Sequence, residues 1–597
     1  MVFGLSAGLG AWGCAPVDFS DVAGGTRDAA LAPVETHVDA GTTVVHSERR
    51  PDAGADTRPS GNDAGTSDAQ ASSKADAPVA FTVDAAVADA SMTDSTTTDA
   101  SPEATIDASA CDGTQTPKAS ACVLTEAYGV FVSPAGNDAS GTGTRGAPFR
   151  TIGNALTRLP PSTTRVYACG GAYAESLRVG PSVDGVEIYG GLGCPSVVTD
   201  TGGGTSPAWT YTGVPAVVTP TAPGLALDVD GLVEGAHFED VAFTALDADP
   251  NVPGSSSIAA LVSLSTNVSF TRVTATAGNG TAGALAAEVP WSWCDEALAA
   301  GGAASSAVGA LGGTCTCNSS ATQTSAGGAG GLAGHTGSGA STGTEGTSTP
   351  LVMSPSGAGG AGFATLGSCE PGTNGAQGSS NAGGLLGGFG RLSGDGFAAQ
   401  LAQAGSSGNP GQGGGGGGGG VTLGGGGGGA GGCGGSGGTG GGGGGASIGV
   451  AVVNSQVTFA TIVASSGTAG AGADGKNGEP GQPGALGGNM QNLHGCGGGS
   501  GGPGAGGSGG AGGAGGPSVG IGWFGLPAPT VDGVVVWPSA SGGTLSTLAS
   551  PSSFHGGSGG VGGAGGAGGG PATPTGGAVG LPGAAGPTGV ALAVTKL

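Results

Sequence analysis

Asp228, Asp230, Glu234, Glu239, Asp240, Asp247 and Asp249, with His237 among them, form the densest group of proton-transferring side chains in this 597-residue chain. Carboxylates held at a fixed separation across a cleft can supply the acid and base of glycoside hydrolysis. If the stretch is extended, alternation places Asp228 and Asp230 on one face and points Glu239 and Asp240 in opposite directions. A base to match them is scarce, since between Arg178 and Lys596 the only Lys or Arg residues are Arg272, Arg391 and Lys476. Charge runs are usually a solvated face, so the stretch reads as an exterior surface with polar turns. No H-E-x-x-H or P-loop occurs, and the many G-x-G-x-x-G matches follow from glycine content. The expectation is no catalytic residue, no metal and no cofactor, with calcium at the aspartates the one ion left open.

Cysteine is the second chemistry on offer. There are 11. Cys14 stands apart near the start, which leaves an even set of ten spread through loop-rich sequence, as in a disulfide framework formed in an oxidising compartment. Cys111 with Cys122, Cys169 with Cys194, and Cys433 with Cys496 are the candidate pairs, although order alone does not fix connectivity. Cys315-Thr-Cys317 has a spacing that metals use, but no second cysteine pair or nearby histidine in the sequence completes a tetrahedral set.

The elements that would position these groups begin with an unusual composition. Of 141 glycines, 35 fall in residues 1–300 and 106 in 301–597, while aromatics are only 4% and charged residues 9%. The net charge is −25, and residues 15–127, with 19 Asp/Glu and 6 Lys/Arg, carry −13 of it. An acidic chain with scattered lysines has no footprint for nucleic acid. Residues 15–127 are rich in Asp, Ala, Thr, Ser and Pro, with Asp-Ala steps at Asp39, Asp52, Asp63, Asp76, Asp84, Asp89 and Asp99. Too polar to bury a core and repelling itself, this stretch is expected to be a disordered tether. Its aspartates lack the dense spacing of a calcium loop.

The first fourteen residues, MVFGLSAGLGAWGC, are apolar and small and end at Cys14. They resemble the lipobox of bacterial lipoproteins, which implies lipidation of Cys14 and an exported protein tethered to the outer membrane or cell surface. Trp12 and the lack of a preceding Lys or Arg depart from that pattern.

From Tyr128 the pattern changes. An alternating strand at Val130–Val132 meets a Gly/Asn/Asp turn, then Pro148-Phe149 and a short amphipathic helix with Ile152, Ala155, Leu156 and Leu159 on one face. Asn137, Asp138, Gly143, Thr144, Pro148, Phe149, Thr151, Ile152, Ala155 and Leu156 resemble the N-terminal entry of the pectin-lyase-like proteins, which implies a right-handed parallel β-helix whose open end this segment caps. Short strands at 166–169, 176–179 and 186–189 follow, separated by glycine turns; on their own they would also suit a small β-sandwich.

An internal repeat supports the solenoid. Phe238-x-x-Val241, Phe270-x-x-Val273 and Phe459-x-x-Ile462 occupy equivalent places, with Leu261 set against Val450 and Val268 against Val457. A looser copy holds Val531-x-x-Val534, and GVALAVTKL at the end resembles one more opening strand. Copies so unevenly spaced fit coils with insertions between them, and loop-closure entropy grows only logarithmically with insertion length. The fold expected is therefore all-β, a parallel β-helix over 128–597 with glycine-rich insertions at about 301–446, 467–517 and 555–588. Two conformations are open to those insertions. One is flexible coil; the other is bundled extended helices, suggested by the three-residue glycine period of 556–570. The G-x-y triplets at 472–486 and 580–589 resemble collagen but are too short and single for it.

These features imply a surface structural or adhesive lipoprotein that contacts extracellular polysaccharide, touches the membrane through its lipid anchor only, and has no catalytic activity. The alternative is a polysaccharide lyase or glycoside hydrolase on the same scaffold, since the pectate-lyase-like enzymes it resembles combine Asp-bound calcium with an Arg or Lys base. The composition also resembles the glycine-rich PE-PGRS surface antigens, without their N-terminal Pro-Glu domain.

Overall fold

A computed structural model describes residues 111–195, 208–284, 293–317, 323–335, 338–350, 356–362, 368–490, 494–536, 553–555 and 577–597. Cys14, the tether through residue 110 and most of the third expected insertion lie outside the described residues.

The described chain is nearly all β, and its strands visit three sheets in turn. One circuit runs Arg165–Cys169 in sheet A, Gly171–Tyr173 in sheet B and Leu177–Val179 in sheet C; the next runs Val186–Gly193, Ala216–Val218 and Leu227–Asp230. Four more follow, ending with Thr530–Val531, Ser553–His555 and Ala591–Lys596. Each strand pairs in parallel with its counterparts in the neighbouring circuits, an arrangement compatible with a parallel β-helix. A circuit cannot bury its apolar side chains alone, and stacking on the next one buries them.

The inward face of sheet A shows how. Val166, Ile188, Phe238, Phe270, Phe459 and Val531 lie in register on successive strands. Phe238 stacks on Phe270 at 5.1 Å between ring centres, and Phe270 on Phe459 at 5.3 Å. Each buried ring contributes about 1.5–3 kcal/mol. The Phe-x-x-Val repeat is the corner from sheet A to sheet B. Its second spacer residue, Asp240, Arg272 or Thr461, has φ of 54°, 52° or 57°, which turns the chain so that Val241, Val273 and Ile462 point back into the core.

Two expected registers are corrected. Leu261 pairs with Ala451, and it is Ala260 that meets Val450. One residue of slip exchanges the faces, so Val450 enters the main core while Leu261 packs outside it with Leu392 and Phe397. Val531 does take the Phe459 position. Val534 does not continue the repeat, because Asp532 and Gly533, with φ of 47° and 80°, reverse the chain into an antiparallel hairpin. An Asp-Gly pair with both φ positive is the favoured two-residue hairpin turn. The closing strand Ala591–Lys596 pairs with Ser518–Phe524, as GVALAVTKL suggested.

The entry segment forms the strand and short amphipathic helix that its periodicity predicts. Thr151 caps the helix Ile152–Thr157, accepting from the amide of Asn154, and Ile152, Ala155 and Leu156 are buried. Asp138 accepts from the amides of Arg150 and Thr151, and Asn137 from those of Ala139 and Ser140. The last residues of the expected tether, 111–127, are structured. Residues 111–127 carry a disulfide between Cys111 and Cys122 and bury Val123 and Leu124 against the outside of sheet A.

The glycine-rich segments leave after a strand of sheet B and return at a strand of sheet C, at Thr276 to Ser447, Ser465 to Ser518 and His555 to Ala591. Ser447 returns directly beside Ser257, so polyglycine runs into a strand because the strand completes a circuit begun before the excursion. The described parts of these segments are not coil. The amides of 411, 414 and 417 donate to the carbonyls of 432, 429 and 426; those of 412, 415 and 418 to 376, 373 and 370; those of 413, 416 and 419 to 347, 344 and 341. A three-residue period with every bond going to a neighbour is the geometry of polyproline-II helices, here bundled side by side. Glycine's large entropy cost is offset because the amides and carbonyls are satisfied against neighbours already fixed by the sheets.

Packing explains the glycine density. A Cβ at Gly414, Gly415 or Gly416 would stand 2.1, 1.9 or 2.0 Å from the carbonyl oxygens of Gly499, Ala358 and Ala329, in three directions. The helix 411–420 is surrounded and needs glycine at almost every position. At the rim, a Cβ at Gly472, Gly475 or Gly478 meets a carbonyl at about 2 Å, while Asp474, Asn477 and Pro480, each two residues further on, are exposed. That is the origin of the collagen-like triplets.

Candidate functional site

The outer face of sheet A carries two registers of side chains. One runs Arg165, Glu187, His237, Ser269, Thr458 and Thr530; the other runs Phe131, Tyr167, Tyr189, Glu239, Thr271 and Ala460. Steps along each are one strand apart, about 4.8 Å. At the first end the lanes are closed by the 111–127 segment, with Tyr167 donating to the Val123 carbonyl at 2.8 Å and Arg165 to that of Gln115 at 2.9 Å. Arg165 also meets Glu187 at 2.7 Å and lies over Tyr189.

Past Tyr189 the lane becomes a polar network. His237 Nδ1 is 2.8 Å from Ser269 Oγ, and its Nε2 is 3.1 Å from Glu239 Oε2. Arg272 donates to both oxygens of Asp240 at 2.9 Å and also to Glu239. Burial alone would raise Glu239, but its hydrogen bond to His237 and the charge and hydrogen bond of Arg272 hold it below the usual carboxylate range. The hydrogen bonds it donates to Asp240 and the two carboxylate charges push Arg272 upward, against its burial.

Chemically, Ser269, His237 and Glu239 stand in the order nucleophile, base and orienting acid. Against a hydrolytic site, Glu239 is shared with Arg272, and the network lies on a strand face. Two cavities of about 300 and 320 Å³ are lined elsewhere, by Cys294, Gln482 and neighbours and by Leu225, Ile258, Phe397 and neighbours.

The acidic group is divided rather than assembled. Asp228 and Asp230 do share one side of their strand, in sheet C, where Asp228 lies 3.6 Å from Arg178 and Asp230 accepts from Ser263 at 2.7 Å. Burial pushes Asp228 up, with Arg178 opposing and Asp230 reinforcing. Asp247 and Asp249 accept the amides of Asn279 and Asn251 in turns, and Glu234 is exposed. Glu239 and Asp240 do not point apart as alternation predicts. Asp240 sits at the left-handed corner, so the strand period ends before it and both carboxylates reach Arg272. The link from His237 to Ser269 was missed, yet its signal was present: each immediately precedes the repeat phenylalanine.

All ten cysteines from Cys111 onward are paired. Cys111–Cys122 and Cys169–Cys194 are as expected. Cys433 and Cys496 are bridged, but to Cys317 and Cys369, and the remaining bond joins Cys294 to Cys315. In the layered bundle Cys433 faces Gly504 of the next layer, which carries Cys496 past it.

Among the described residues no helix is long and apolar enough to cross a membrane. No family model matches the sequence, and no curated protein matches it significantly. Among solved structures, a pectin methylesterase from carrot is similar over part of the chain, at 14% identity and a TM-score of 0.17, covering 25% of this chain and 40% of that one.

Proposed function

We propose that this chain is an exported, lipid-anchored bacterial surface protein in which a right-handed parallel β-helix with a glycine-helix bundle serves a structural or adhesive role, binding extended polysaccharide without turning it over. The observation that carries this reading is the outer lane of sheet A. Beyond its closed end the polar groups His237, Ser269, Thr458 and Thr530 repeat there at strand spacing, matching an extended ligand rather than a small one. Five disulfides fit an oxidising, extracytoplasmic setting. Cys14 is the lipidation site in this reading, the acidic stretch before residue 111 is a self-repelling stalk, and the lipid is the membrane contact. Among the described residues of the lane, Arg272 is engaged by two carboxylates and Arg165 by Glu187, so neither is free to act as a lyase base there.

The test is retention of the purified chain on immobilised acidic and neutral polysaccharides, with release of new reducing or unsaturated ends followed in parallel, with and without calcium. Retention without turnover supports the reading, and turnover overturns it. Cys14→Ser should shift the protein from membranes to the soluble fraction. A second reading, hydrolysis, is favoured by the Ser269–His237–Glu239 chain alone; it requires turnover that Ser269→Ala abolishes.

A further inference from the structure

Cys294, Cys315, Cys317 and Cys433 converge at one point of the bundle, their sulfurs all within 4.8 Å of one another. Cys315 and Cys317 flank Thr316 at the end of the strand Thr314–Thr316, Cys433 lies in a glycine helix, and Cys294 just precedes the short helix Glu296–Ala299. The sequence alone shows only the Cys-x-Cys pair, and the fold supplies the other two ligands. Cys315, Cys317 and Cys433 are buried, packed with Ala299 and Ala430.

Disulfides join Cys294 to Cys315 and Cys317 to Cys433, but the sulfurs are also close across the two bridges. Cys294 and Cys433 are 3.4 Å apart, Cys315 and Cys433 3.3 Å, and Cys315 and Cys317 3.8 Å. Four thiolates bound tetrahedrally to zinc at about 2.3 Å stand about 3.8 Å from one another. The unbonded pairs already stand near that spacing, and each bridged pair, about 2.05 Å apart when bonded, must open by roughly 1.7 Å to enclose such an ion.

The surroundings supply what a metal site needs beyond its ligands. The Gln482 amide oxygen accepts from the backbone amides of Cys294 at 3.2 Å and Cys433 at 3.4 Å, and its nitrogen donates to the Cys294 carbonyl at 3.3 Å. One side chain therefore fixes two of the four ligand-bearing backbones. The cavity of about 300 Å³, lined by Cys294, Glu296, Gln482 and Ala485, opens beside the cluster and gives an ion a way in.

We propose that in the reduced chain these four cysteines bind Zn(II) as a tetrathiolate, holding the same four backbone positions that the two disulfides hold in the oxidised chain. Binding is an exchange without electron transfer: four thiols release four protons to solvent and four sulfur–zinc bonds form. Passing from the bridged to the metal form consumes a dithiol reductant, two electrons and two protons for each disulfide broken.

The full chain, purified under a dithiol reductant, is titrated with Co(II) as a spectroscopic probe and then with Zn(II). The expected result is uptake of about one equivalent, with thiolate-to-cobalt charge-transfer bands in the near ultraviolet that Zn(II) abolishes. Cys315→Ser with Cys317→Ser should remove the bands, Cys369→Ser should leave them, and Gln482→Ala should weaken binding about 10- to 100-fold. The titration is repeated with metal present during refolding, so that loss of the reduced fold cannot conceal the site. Absence of the bands under both conditions, or bands that persist in the Cys315/Cys317 double variant, overturns the proposal.

Discussion

The amide of Ser447 donates to the carbonyl of Pro517 at 2.9 Å, three residues after that of Gly444 donates to Ala514 at 2.8 Å. One ladder of hydrogen bonds thus passes from a glycine helix into a β-strand without a break. The series extends back through Gly441 to Ala511, Gly438 to Ser508 and Gly435 to Ala505. The sheets and the glycine bundle are stacked by the same step, one circuit on the next.

Alanine at a surrounded glycine should therefore be costly. Gly414→Ala places a methyl 2.1 Å from the Gly499 carbonyl oxygen, a backbone group that cannot move aside. The expected loss is at least 1–3 kcal/mol, as for an overpacked core, seen as a lower unfolding midpoint and earlier proteolysis within 402–516. Leu486→Ala, at an exposed rim position, should change stability by less than about 0.5 kcal/mol. Equal effects from the two would contradict the bundle.

Removing Arg272 should strand two carboxylates. Glu239 and Asp240 have side chains only 5% and 9% exposed, and leaving such charges unpaired costs roughly 3–5 kcal/mol. Arg272→Ala should approach that figure in denaturant unfolding. Arg272→Ala with Asp240→Asn should recover part of it, and the double-mutant cycle checks the coupling.

The pH dependence follows from the same network. Glu239 is held below its ordinary value of 4.5, so it binds protons more weakly folded than unfolded. Its contribution is present above the unfolded value and is lost as pH falls through the lower folded one. Asp138, held low by the amides of Thr151 and Arg150 against its burial, acts in the same sense. The unfolding midpoint should fall as acid is added below about pH 4.5, and Glu239→Gln should flatten that fall. An unchanged slope in the variant would remove Glu239 from the account.

The sheets were largely legible in the sequence because their side chains obey simple periods. Phe238, Phe270 and Phe459 mark one inward position, and Thr151 through Leu156 mark a capped helix. What escaped was of two kinds. Asp240 and Arg272 occupy a left-handed corner where strand alternation stops, so the direction of their side chains could not be read from parity. The glycine segments have almost no side chains to carry a pattern. Whether Gly411–Gly420 is coil or a buried helix depends on neighbours as distant in sequence as Gly328 and Gly499, and so does the convergence of Cys433 on Cys317.

A final prediction separates the two halves of the architecture. If residues 301–446 are replaced by a short linker, with Cys294 and Cys496 changed to serine because their partners are removed, the strand Ser447–Val453 keeps its pairing with Ser257–Ser263 and with Ser518–Phe524. Far-ultraviolet circular dichroism should then retain its β signal. The helix 499–516 fares differently. The amides of Gly499, Gly502, Ala505, Ser508 and Ala511 donate to the deleted residues 415, 412, 409, 406 and 403 and would be left to water. Those of Gly504, Gly507, Gly510 and Gly513 donate to Gln482, Glu479, Lys476 and Ala473, which remain. Hydrogen exchange should quicken at the first set by far more than at the second, a three-residue alternation that a flexible loop would not show. Uniform fast exchange across 499–516 would mean that the outer layers do not stand without the inner one, and loss of the β signal would mean that the sheets themselves depend on the bundle.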